Sequence, residues 1–278
     1  MSSDLTIVPV RKGYAEGRFG QIHYRMAQPD GDLVSNSAAR PLVCFHMSPY
    51  ASIIYETFPA EMGRDRIAIA MDTPGFGDSD PPSAPPTISE YAGAAIDLMG
   101  ALGLTSVDLM GYHTGSKIAL ETTLQNPDRV HRLVLVSAPL WTPKELAQIK
   151  AQHGPEQLTK DGAHAQASWQ SAVRWSMPGR SLDDIGKVFW AKLLNPAISW
   201  WGHNAAFAYD SAAAFPKIKQ PILILNPEDD IWEMTPRAKS LLKHSESRIH
   251  DLPGWSHGFL DLKTQETAAI VRGFLDRA

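Results

Sequence analysis

The 278-residue chain has one cysteine, Cys44. A single thiol cannot form an internal disulfide, which excludes a cross-linked secreted scaffold and makes a reducing compartment the expectation. Long apolar runs are missing too. No stretch is long enough to span a bilayer, and the first residues, MSSDLTIVPVRKG, are too polar for a signal peptide. Charge of one sign is scarce: 26 basic and 30 acidic side chains leave a formal net charge of −4. That balance gives no argument for nucleic acid or an anionic membrane as partner. No internal repeat or low-complexity tract occurs. The expectation is a cytoplasmic protein with a small-molecule substrate, with a homodimer left open.

Hydrophobic residues make up 44% of the chain, enough for a sizeable core. They fall in short runs separated by longer helical patterns. Tyr14 to Glu16 and Gln21 to Met26 predict an antiparallel pair, with Gly17 and Gly20 in or near its turn. Buried strands are predicted at Pro41 to Phe45, Ile67 to Met71, Val107 to Met110, Val130 to Val136 and Pro221 to Leu225. Near-continuous apolar strands suit a parallel sheet covered on both faces. Helical patterns fall at about 50–62, 88–102, 114–125, 233–243 and 262–276. The alternation argues an α/β fold. It stops after Val136. From there to about Phe215 the composition is helical and holds six of the eight tryptophans. This predicts a helical cap at 140–215, inserted between core segments 1–139 and 216–278 and lying over the edge where α/β sheets bind ligands.

Five motifs sit at strand ends: FHMSP from Phe45, MDTPGFGDSDPP from Met71, GYHTG from Gly111, LNPEDD from Leu225 and LPGWSHGF from Leu252. Together they resemble the α/β-hydrolase fold superfamily, over about residues 13–276. The resemblance implies a nucleophile elbow, an acid and a histidine in that chain order. His113 then occupies the elbow in place of serine, cysteine or aspartate. Asp230 matches the acid and His257 the histidine. The backbone N–H groups of Ser48 and Thr114 match the oxyanion hole, although Met47 stands where the pattern usually has glycine. Gly111 and Gly115 fix His113 as the elbow residue, and Ser116 falls one turn into the helix.

At a helix N-terminus the dipole disfavours an imidazolium, which predicts a neutral His113 beside a His257 charged and oriented by Asp230. Four readings follow. His257 acts as general base while His113 holds a water or the reacting group; His113 is itself the nucleophile; Ser48 has become the nucleophile; or the site only binds. The first is the one adopted: cofactor-independent hydrolysis of a small aromatic or apolar carbonyl compound, at a C–C bond, ester or lactone. Lyase or decarboxylase chemistry is the alternative. No metal is expected, although His46, His113 and His257 are conceivable ligands for zinc or iron. Glu228 and Asp229 are expected in a solvated acidic turn, Asp72 on turn N–H groups, and Tyr112 against the sheet. Trp141, Trp200, Trp201, His203 and Tyr209 are the candidate substrate contacts, in a pocket with few fixed charges.

Overall fold

A computed structural model describes residues 8–29 and 39–277. Eight strands form one sheet: β1 (Arg11–Gly17), β2 (Gly20–Ala27), β3 (Leu42–Phe45), β4 (Ala68–Met71), β5 (Val107–Tyr112), β6 (Val130–Val136), β7 (Ile222–Pro227) and β8 (Arg248–Leu252). Their spatial order is β1-β2-β4-β3-β5-β6-β7-β8. The β1–β2 and β2–β4 pairs are antiparallel and the rest are parallel. The chain reverses its direction of travel across the sheet at β3, which lies between β4 and β5. In open α/β sheets such a switch point, at the carboxyl ends of the strands, is where ligands bind.

Alternation along each strand feeds two cores. On β3, Val43 and Phe45 join the apolar layer under one face, whereas Leu42 and Cys44 join the other. Ten α-helices among the described residues accompany the sheet. Three precede the insertion: α1 (Thr57–Met62), α2 (Ile88–Ala101) and α3 (Thr114–Gln125). Then come α4 (Pro143–Gln152), α5 (Ala163–Arg174), α6 (Leu182–Lys192), α7 (Trp201–Ala208), α8 (Ser211–Ala214), α9 (Phe259–Leu262) and α10 (Thr264–Leu275). Thr87 caps α2 and Thr142 caps α4, each in a reciprocal capping box with the glutamate three residues on. No strand of the sheet falls between Val136 and Ile222, where α4 to α8 lie. No helix among the described residues is long and apolar enough to cross a membrane.

The helical pattern at 233–243 is not an α-helix. Thr235–Leu241 winds as a 3-10 segment, with Pro236 in its first turn removing a backbone donor. The pattern at 50–62 is likewise divided into a 3-10 turn, Ser52–Tyr55, and α1.

One buried polar knot fixes the strand ends. Asp72, after β4, accepts the backbone N–H of Ser52 (2.5 Å) and of Asp78 (3.0 Å), and it pairs with His23 Nδ1 at 2.7 Å. Burial opposes its charge, but His23, His46 and these donors hold its pKa down at about 2. Breaking such a pair strands its partners without water. Asp72→Ala should therefore cost about 3–5 kcal/mol, read as a lowered urea midpoint.

Candidate active site

The elbow follows from two close approaches. A Cβ on Gly111 would land on the Gly115 carbonyl, and a Cβ on Gly115 would land on the Phe45 carbonyl. Only glycine fits either position. Between them His113 takes φ 49° and ψ −108°, a left-handed conformation that costs a non-glycine residue about 1–3 kcal/mol. The turn projects the imidazole beyond the end of β5, at the start of α3. Ser116 is turned away, its hydroxyl donating to the Gly111 and Val136 carbonyls at 2.8 and 3.0 Å. The Thr114 N–H belongs to the first turn of α3, where no intrahelical acceptor exists.

His113 has a partner that the sequence reading assigned elsewhere. Its Nε2 lies 3.0 Å from Oδ2 of Asp229. The Asp229 side chain is fully buried, not part of a solvated turn. It also accepts the Ser137 hydroxyl at 2.5 Å and the Ile231 N–H at 3.0 Å. Asp230 takes His257 instead, with Nε2 to Oδ1 at 3.1 Å. The His257 ring is engaged on both sides, since its Nδ1 lies 2.9 Å from the Tyr112 hydroxyl. Burial pushes the Tyr112 phenol well above its ordinary pKa, with Asp229 and Asp230 adding to the shift. It therefore stays protonated and can donate to a neutral His257. The site holds two histidine–aspartate pairs, their rings meeting edge to face with centroids 5.4 Å apart.

The helix end alone would lower the His113 pKa, but the shift runs the other way. Burial lowers its pKa, but the charge and hydrogen bond of Asp229, helped by Asp230, raise it above the ordinary value. A full charge in contact outweighs the partial charge of a helix end. Both carboxylates are held below their usual range. For Asp229 burial is opposed mainly by His113; for Asp230 it is opposed by the hydrogen bond to His257 and the charge of His113.

The other expected residues are scattered around this centre. His46 packs beneath it: Nδ1–H donates to the Met47 carbonyl at 2.9 Å, and Nε2 accepts the Thr73 N–H at 3.0 Å. Both nitrogens are thus used inside the fold. Ser48 lines the cavity over the two pairs, and Gly202 of α7 presses so closely on its side chain that a Cβ there would collide with the hydroxyl. That cavity, about 170 Å³, is lined by both elbow-side histidines, Tyr50, Trp175, Phe189 and His203. It is more polar than expected, because Arg180 and Lys192 also line it. Arg180 is bound to Asp261, and Lys192 donates to Ser168. His203 is kept neutral: burial and neighbouring His153 push its pKa down to about 3.

Tyr209 lines a neighbouring cavity instead, and Trp141 lines both that cavity and a small chamber that reaches His113. Trp200 and Trp201 line none of these cavities. Both are half-buried, and the Trp200 indole donates to the Ala197 carbonyl at 3.2 Å. Trp175 takes the place expected of them.

His113, Asp229, Asp230 and His257 present ligand atoms within 4.8 Å of one another. A divalent cation could be held here only by replacing the histidine–aspartate hydrogen bonds.

The family profile described as alpha/beta hydrolase family matches residues 43–270. The chain belongs to that family. Haloalkane dehalogenase 2 of Mycobacterium tuberculosis (strain ATCC 25618 / H37Rv) is 29% identical over 153 residues, covering 53% of this chain and 50% of that protein. 2-Hydroxymuconate semialdehyde hydrolase of Pseudomonas sp. (strain CF600) is 35% identical over 79 residues, 28% of either chain. The matched regions span half or less of these curated relatives. Among solved structures, the enol-lactonase from Burkholderia xenovorans LB400 superposes with a TM-score of 0.77 at 17% identity, covering 95% of this chain and 100% of that one. The eight-stranded, mostly parallel sheet is thus the α/β-hydrolase fold.

Proposed function

We propose that the protein is a cofactor-independent hydrolase of a small carbonyl compound, an ester, a lactone or a ketone cleaved at its adjacent C–C bond. The observation that carries this is the pair of facing histidine–aspartate couples at one cavity. Two imidazoles suit a reaction that needs one base and one acid.

The roles follow from which nitrogens are engaged. Asp229 holds His113 through Nε2, which leaves Nδ1 as the basic atom when the ring is neutral. His113 takes a proton from water as the water oxygen bonds to the substrate carbonyl carbon. The carbonyl electron pair moves onto oxygen, stabilised by the Ser48 and Thr114 N–H groups. As that pair returns, the bond to the leaving alkoxide or carbanion breaks, and the leaving group takes a proton from an imidazolium. Proton exchange through His257, Tyr112 and solvent restores the pair. His113 thus moves from the water-positioning role to that of general base, with Asp229 orienting it. His257, bound on both sides, serves with Asp230 and Tyr112 as the second proton-handling group. The segment 140–215 acts as the cap over this chemistry.

The relatives support the reading coarsely, because two of those described above are named as a hydrolase and an enol-lactonase. Haloalkane dehalogenase 2 is named for a different reaction, so the carbonyl substrate rests on the site and not on the likeness.

A panel of phenyl acetate, dihydrocoumarin and benzoylacetone tests the function. The expected result is turnover of at least one, unchanged after dialysis against EDTA. Loss of turnover with the metal, restored by zinc or manganese, would place an ion between the four ligands. Binding of the panel without any product would leave only a binding site.

A further inference from the structure

Next to the catalytic cavity lies a second chamber that the reaction above does not use. It measures about 80 Å³ and reaches from His113, Asp230 and His203 to Lys117 and Trp141. Beyond it opens a larger cavity of about 290 Å³, again lined by Lys117 and Trp141 and by Lys150, Tyr209 and Asp210. Lys117 and Trp141 therefore belong to the wall shared by both spaces, with Pro139, Ala206 and Phe207.

The two side chains hold unused donors. Lys117 is 5% exposed, yet its ammonium has three N–H groups and one hydrogen bond, to the Ser211 hydroxyl at 2.7 Å. The Trp141 indole N–H is buried and has no acceptor among the described residues. A buried donor without a partner costs stability and calls for an explanation. The carboxylate facing the cavity is Asp210, and one of its oxygens caps α8 by accepting the Ala213 N–H at 3.0 Å. Two lysines thus face one aspartate across this space. Tyr209 is turned elsewhere, donating to Glu121 at 3.0 Å. Burial lowers the Lys117 pKa to about 8, with Asp210 partly countering it, so the ammonium remains the main form at neutral pH.

We propose that Lys117 and the Trp141 indole form a carboxylate-binding subsite, which makes the substrate an oxo acid or ester acid whose carboxylate sits there while its carbonyl lies at His113. The proposal rests on the hydrolytic reading of His113 for the second half of that statement. Lys117 lies four residues beyond His113, and both side chains line the small chamber, so one short ligand held there reaches the two of them. An anion at this wall supplies the acceptors that both side chains lack. It also orients the carbonyl against the base.

Calorimetric titration of the full chain with 4-oxo-4-phenylbutanoate and with its primary amide tests the subsite. Wild type is expected to favour the acid by roughly tenfold or more, as suits a charge-assisted contact. Lys117→Met should remove that preference and leave amide affinity within about twofold, and Trp141→Phe should weaken the acid about fivefold. Equal binding of acid and amide by wild type overturns the proposal, as does acid binding that is unchanged in both variants. Should Lys117→Met not fold, the wild-type preference and Trp141→Phe decide. A Lys117-dependent acid preference with no hydrolysis of any carbonyl compound would sink the proposed reaction and leave the subsite standing. Hydrolysis with no such preference would do the reverse.

Discussion

Replacing His113 by alanine should lower kcat/KM on the best panel substrate by roughly a hundredfold to ten-thousandfold, the usual contribution of a positioned base. The left-handed backbone is as strained with alanine as with histidine, and buried Asp229 keeps only the Ser137 hydroxyl and the Ile231 N–H, so the melting temperature should fall while the fold persists. Circular dichroism and the melting temperature check the fold, and steady-state kinetics check the loss. His113→Ser separates two histories of the site. If a serine at the elbow gives an esterase that accumulates an acyl-protein while native turnover disappears, the histidine has its own reaction. If native turnover rises instead, the general-base assignment is wrong.

Asp229→Asn should move the acid limb of the kcat/KM profile to lower pH and reduce the plateau by tenfold or more, in keeping with the loss of a carboxylate that orients a base. The sign follows from the environment. Asp229 raises the His113 pKa above its ordinary value of about 6.5. The base form is neutral, so activity is lost as pH falls through that raised pKa. Removing the negative charge lowers the pKa and carries the limb with it. Asp230→Asn should shift the limb less. The Asp230 side chain is 44% exposed, whereas that of Asp229 is fully buried, and solvent screens the weaker partner. An Asp229→Asn limb that coincides with wild type would show that another group titrates.

The mostly parallel sheet and the elbow frame were legible because each rests on a local rule. Apolar strands flanked by helical patterns give a covered parallel sheet. Glycines at 111 and 115 are needed by backbone contacts within a few residues of the turn and at the end of β3. The acid was harder to place. Asp229 and Asp230 are adjacent, and which one turns inward depends on the Ser137 hydroxyl and the Ile231 N–H around it. One signal was available: two histidines at the site and two aspartates in PEDD allow two pairs. The direction of the His113 shift was hidden for the same reason, since the helix dipole is visible in sequence and a buried carboxylate 3.0 Å away is not. The tryptophan count pointed to the inserted helices but not to side-chain direction. Trp175 and Trp141 face cavities, whereas Trp200 and Trp201 pack elsewhere. Lys117 lies four residues past the elbow and reads in sequence as an ordinary helical lysine. Only its burial between two chambers distinguishes it.

Direct attack by water, with both histidines handling protons and neither becoming acylated, is the centre of this account. Rapid-quench mass spectrometry of the intact chain during turnover of the best panel substrate tests it most directly. The account predicts an unmodified protein mass at every time point while product accumulates. An adduct that forms and decays at the rate of turnover, mapped to His113 or to Ser48, would contradict it.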